Sequence, residues 1–164
     1  MLNLAELNAM DREQFTLRLR PVFEHSPWVA ARTAAKRPFA TRAELHAALC
    51  DTVMKASDDE KLSLIRAHPD LVDEAALTGQ SQAEQKSAGL NDLSTDECEH
   101  FRDFNRRYRE KFDFPFVICA RENKKEAILA AFPIRLTNSR EAEIETARRE
   151  IFKIAELRLG DLIS

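Results

Sequence analysis

The residue types best suited to moving a proton in this chain are a histidine followed by proline and a carboxylate sixteen residues downstream. His68 lies in Arg66-Ala-His68-Pro69-Asp-Leu, and Glu84 in Gly79-Gln-Ser81-Gln-Ala-Glu84-Gln85-Lys-Ser-Ala-Gly89-Leu90. Proline disfavours α geometry in the residue before it, so His68 is expected to close a helix and face a junction. Ser81, Glu84 and Gln85 stand at i, i+3 and i+4, which places them on one helical face. A histidine and a carboxylate from neighbouring helices, converging on a gap, can carry out general acid–base chemistry. A polar helix face that is simply solvated is the plainer reading, and pattern alone leaves both open.

A second candidate is a charge in the wrong place. Ile144, Ala147, Ile151, Ile154, Ala155 and Leu162 mark the apolar face of the last helix, and Arg158 falls on that face. A core-facing arginine needs an anionic partner, because an unpaired buried charge is costly. Either Arg158 lies at the edge of the stripe and snorkels to water, or it presents a guanidinium fork to a ligand's carboxylate or amide oxygens. Glu97-Cys-Glu-His100 has the E-x-x-H spacing of di-iron bundles, but those sites need a second such motif and further glutamates. His100 therefore reads as a surface residue. His25 and His46 have no partners at ligand spacing and there is no H-E-x-x-H, so no metal site is expected.

These side chains must be placed by helices. Capping-box spacings at 11–14, 41–44, 57–60 and 94–97 each precede an apolar periodic stretch, and 138–141 is expected to cap the last helix. The 57–60 box opens the helix that ends at His68. Residues 28–37 read as a short helix stopping before Pro38, and residues 70–77 as another, closed by Gly79. The longest periodic stretch buries Phe101, Phe104, Tyr108 and Phe112. Phe114-Pro-Phe-Val-Ile-Cys-Ala120 then breaks the helical period and is too apolar for an exposed loop, so it is expected to cross the core as a buried extended segment. A helix starting at 123 or 124 is expected to be interrupted near Pro133. The fold class is all-α: one compact multi-helix domain over residues 1–164, with one extended crossing near 114–120.

Composition narrows the function. The chain has 164 residues, 44% hydrophobic and 32% charged, with a net charge of −3. It lacks the basic stripe of a nucleic-acid binder, an apolar run of membrane-spanning length, and a signal-peptide pattern. Cys50, Cys98 and Cys119 form no C-x-x-C pair, so neither disulfides nor a zinc knuckle is suggested, and a cytoplasmic location fits best.

Four motifs, taken in order, resemble the OHCU decarboxylase family. They are Ala67-His68-Pro69-Asp70-Leu71, then Ser81-x-x-Glu84-Gln85-x-x-Ala88-Gly89-Leu90. There follow Phe104-Asn105-x-x-Tyr108-x-x-Lys111-Phe112-x-Phe114-Pro115-Phe116-Val117-Ile118 and Leu157-Arg158-Leu159. The similarity runs from Leu7-Asn8 to Leu162, with Asp113 standing where many members have glycine. Members of that family act on 2-oxo-4-hydroxy-4-carboxy-5-ureidoimidazoline, the last intermediate between urate and (S)-allantoin. The resemblance implies an all-helical fold, no metal or organic cofactor, and commonly a homodimer. It implies that His68 is catalytic and that Glu84 works with it. It also implies that Arg158 binds substrate, and that Pro69, Ser81, Gln82, Ala83, Gln85 and the backbone of Phe116, Val117, Ile118, Cys119 and Ala120 line the pocket. A silent helical ureide-binding module, or a ring hydrolase using His68 as base, are the alternatives.

Overall fold

Hydrogen bonds local to the chain start most helices where the caps predict them. The computed structural model describes residues 1–164, apart from the side chain of Glu74. In chain order the helices are α1 (Leu4–Ala9), α2 (Arg12–Leu19), α3 (Trp28–Thr33), α4 (Arg42–Met54), α5 (Asp58–Arg66), α6 (Gly79–Ser87), α7 (Thr95–Phe112), α8 (Lys125–Leu136) and α9 (Arg140–Leu162). Ser57 with Glu60 and Ser94 with Glu97 form reciprocal capping boxes at α5 and α7. Asn3 and Glu6 form another, unanticipated, at α1. Thr41 caps α4, but the Glu44 carboxylate accepts from Ala40 N–H instead of closing the box on Thr41. Among the described residues the only β pairing is an isolated bridge between Leu2 and Ile163, so the protein is all-α.

Four expectations fail. Residues 70–77 do not form an α-helix: Val72 takes a left-handed φ of 66°, which stops helix propagation, and only a 3-10 turn follows at Glu74–Ala76. Gly79 does not close that segment but opens α6, behind Thr78 as N-cap. Helix α8 runs unbroken through Pro133, which faces solvent while Ile128 and Phe132 are buried, and packing outweighs the lost backbone bond. At α9 the cap is Ser139, whose Oγ accepts from Ala142 N–H, and Asn138 instead donates to Glu143 Oε2 at 3.0 Å.

The chain divides into two compact units, Met1–Ala67 with Phe152–Ser164, and His68–Ile151. In the first, Leu7, Phe15, Leu45, Leu49 and Val53 form a core with the end of α9, where Ala155 and Leu159 are buried. Leu2 N–H donates to Leu162 O at 3.1 Å and Ser164 N–H to Leu2 O at 3.0 Å, tying the two ends of the chain together.

The second unit is built around aromatic rings. Phe116 stacks on Phe132 with centroids 3.8 Å apart, and Tyr108 meets Phe116 edge-on at 5.3 Å. Asp113 ends α7 with φ 63°, a left-handed position that aspartate tolerates better than most residues. The chain then passes through residues 114–119 without helix before a 3-10 turn opens at Ala120, and every residue from 114 to 120 is buried, as the break in apolar periodicity predicts. Arg135 sits among these rings, its guanidinium 4.1 Å from the Phe116 centroid. Its Nε donates to Glu143 Oε1 and its Nη1 to the Val117 carbonyl, both at 2.7 Å, while Tyr108 donates to Glu143 at 2.6 Å. Burial, then the bond to Glu143, pushes the Tyr108 hydroxyl well above its ordinary pKa.

Candidate active site

The second unit begins at His68. Helix α5 ends at Arg66 with Ala67 as its C-cap, and His68 follows with only 7% of its surface exposed. The loop after it is held on two sides. Val72 N–H donates to Gln85 Oε1 at 3.0 Å, from α6, and the Leu71 carbonyl accepts from Asn105 Nδ2 at 2.8 Å, from α7. Arg109 Nε lies 2.8 and 3.0 Å from the two oxygens of Asp70.

On α6 the expected face forms. Ser81 and Gln85 are buried and Glu84 is half-buried, whereas Gln82 and Ala83 are exposed and not gathered with them. Thr78 caps this helix with its hydroxyl on Ser81 N–H, which fixes where the face points. The other wall of α6 packs on the turn Ala120–Glu122, and Lys125 N–H donates to Ala88 O at 2.9 Å. Desolvation pushes the Cys119 thiol up to about 11, helped by the negative charges of Glu122, Glu150 and Glu84.

That segment is less open than an unpaired extended chain would be. Arg135 holds the Val117 carbonyl, Asn123 Nδ2 donates to the Cys119 carbonyl at 2.9 Å, and Cys119 N–H points to Glu150 Oε1 at 3.5 Å. Sequence reasoning missed Arg135 and Glu143. Glu143 carried a readable signal, since it lies four residues before Ala147 on the apolar face of α9.

Arg158 belongs to the first unit, and it does not snorkel: it is 6% exposed. Its Nη2 donates to Glu24 Oε1 at 2.8 Å and its Nη1 to the Pro21 carbonyl at 3.0 Å. The anionic partner that its burial demanded is therefore Glu24, a residue not singled out in the sequence.

No group of three or more His, Cys, Asp and Glu side chains stands ready for a metal among the described residues. Glu97 of the E-x-x-H is occupied as a cap on Ser94 N–H and as partner of Lys125 Nζ at 3.2 Å, and His100 is exposed. No helix is long and apolar enough to cross a membrane among the described residues.

The sequence profile of OHCU decarboxylase matches residues 8–160. The chain belongs to the OHCU decarboxylase family. The 2-oxo-4-hydroxy-4-carboxy-5-ureidoimidazoline decarboxylase of Haloferax volcanii is 42% identical over 99% of this chain and 97% of that protein. A crystal structure of OHCU decarboxylase in the presence of (S)-allantoin superposes with TM-score 0.71 at 27% identity, covering 84% of this chain and 92% of the other. A crystal structure of (S)-allantoin synthase gives TM-score 0.78 at 30% identity, over 99% of this chain and 54% of that longer one. All four motifs of this OHCU decarboxylase family member lie within the matched residues.

Proposed function

We propose that this protein is a carboxy-lyase that converts 2-oxo-4-hydroxy-4-carboxy-5-ureidoimidazoline to (S)-allantoin in urate degradation, without metal or organic cofactor. The observation that carries the reading is a buried His68 at a helix end, in the unit where α6 sets Ser81, Glu84 and Gln85 beside the buried crossing, within a family match spanning most of the chain. Residues 1–164 are read as one catalytic domain, and two copies as a homodimer.

The substrate bears a carboxylate and a hydroxyl on one ring carbon, next to a ring C=N. When the carbon–carboxylate bond breaks, its electron pair moves into that imine, so the ring is its own electron sink and CO2 leaves. His68 and Glu84 handle the hydroxyl proton and hold the carboxylate out of the ring plane, where the breaking bond overlaps the π system. The enol-like product then takes a proton on one face to give a single enantiomer. A histidine suits this work because its ordinary pKa is ~6.5. Backbone groups of residues 116–120 other than those held by Arg135, Asn123 and Glu150 pair with the ureide amides, and Arg158, held by Glu24, serves substrate oxygens with its guanidinium.

The test follows the ultraviolet decay of freshly oxidised urate, with circular dichroism reporting chirality. The wild type is expected to accelerate the decay and to yield the (S) enantiomer of allantoin alone. His68→Asn is expected to lose about 10²-fold or more while its far-ultraviolet spectrum is kept. Ligand binding without turnover would mean a silent ureide-binding module, and ring opening without CO2 release a hydrolase.

A further inference from the structure

The peptide between Leu71 and Val72 is gripped at both polar atoms by side-chain amides from different helices. Asn105 Nδ2 donates to its carbonyl at 2.8 Å, and Gln85 Oε1 accepts from its N–H at 3.0 Å. Each of these amide residues is only 7% exposed. A peptide held at oxygen and nitrogen at once cannot rotate about its flanking bonds without breaking one of two buried contacts.

The grip has something to hold. Val72 has a φ of 66°, and a β-branched residue in the left-handed region is strained by its own side chain. Such backbone persists only where its surroundings over-determine it, and strain of this kind collects beside functional groups. Here the neighbours are Asp70, tied to Arg109, and the Leu71–Val72 peptide, tied to α6 and α7. His68 stands at the head of this short loop, directly after Ala67, the C-cap of α5.

Asn105 also departs from what packing alone would favour. Its Oδ1 is buried and makes no hydrogen bond, which costs free energy that an apolar side chain of similar size would not incur. The compensating contact is the Nδ2 bond to Leu71.

We propose that Asn105 and Gln85 are positioning residues that lock the Leu71–Val72 peptide and thereby set the placement of His68. The inference rests on His68 being the acid–base group. It gives Gln85 a structural duty for its Oε1, where the family resemblance had implied a pocket-lining one, and adds Asn105, for which the resemblance implied no role.

The experiment compares wild type, Asn105→Leu and His68→Asn in the ultraviolet assay, in melting, and in an NMR titration of the His68 ring protons assigned through His68→Asn. Asn105→Leu is expected to lower kcat about tenfold or more, with KM within about threefold and melting within about 4 °C of wild type. Its His68 ring protons are expected to shift and to titrate at a different midpoint. Activity within about twofold of wild type with an unchanged His68 titration overturns the proposal, as does an effect confined to KM. Should Asn105→Leu fail to fold, Asn105→Ser, too short to reach Leu71, is read by the same criteria. A wild type that leaves the substrate's decay unaltered sinks the proposed activity, and the imidazole titration then decides the grip alone: identical curves in wild type and variant overturn it.

Discussion

Arg158 Nη2 lies 2.8 Å from Glu24 Oε1, with the two side chains 5% and 1% exposed. An ion pair so well shielded is weak evidence of net stabilisation, but breaking it by removing one partner strands the other charge. Arg158→Met is therefore expected to lower stability by about 3–5 kcal/mol with or without ligand, measured by urea unfolding. Adding Glu24→Gln should restore part of the loss. Allantoin is expected to raise the melting temperature of the wild type and not that of Arg158→Met. Equal shifts in the two would leave Arg158 with its structural pairing and remove it from substrate binding.

Glu143 is fully buried and answers both Arg135 and Tyr108. Glu143→Gln keeps the shape but leaves the Arg135 charge among aromatic rings without its counter-charge, at an expected cost of about 3–5 kcal/mol. Tyr108→Phe removes one hydrogen bond to a charged group and should cost about 1.5–3 kcal/mol. Urea midpoints that rank the two variants the other way round would contradict this account.

Alkali is expected to lower the stability of the fold. Burial raises the Cys119 thiol to about 11 and the Cys50 thiol to about 12, the latter helped by Glu156, and raises Tyr108 further. The folded chain keeps protons that the unfolded chain releases near ~8.5 for cysteine and ~10 for tyrosine. Stability from these groups is therefore complete below those unfolded values and falls as pH rises toward the folded ones. Urea midpoints should drop between pH 8 and pH 11 (on the order of these pKa values), and the drop should be smaller in Cys50→Ala/Cys119→Ala. An equal drop in wild type and the double variant would assign it to other groups.

Chelation is expected to have no effect on turnover. The one E-x-x-H pairs an exposed His100 with a Glu97 already occupied by Ser94 and Lys125. Loss of activity in EDTA that a divalent ion restores would contradict the donor-set argument.

What the sequence determined by itself was whatever is settled within a few residues or by repeated pattern. Ser57 with Glu60 and Ser94 with Glu97 cap their helices because both partners lie within one turn. The proline after His68 ended α5 by local sterics, and the apolar run 114–120 could be satisfied only by burial. The spacing of Ser81 and Gln85 likewise put both on the buried side of α6. Tertiary structure decided what depends on which faces meet. Arg158 needed an anion, yet nothing in the chain marked Glu24, 134 residues away, as that anion. Asn105 stood in a motif without a duty until α7 was laid against the loop at Leu71, 34 residues earlier. Val72 was expected in a helix, and only contacts from two other elements hold a β-branched residue left-handed. Local rules bound the conformations a residue prefers; long-range hydrogen bonds and buried charges select among them, and their partners are specified by packing, not by spacing.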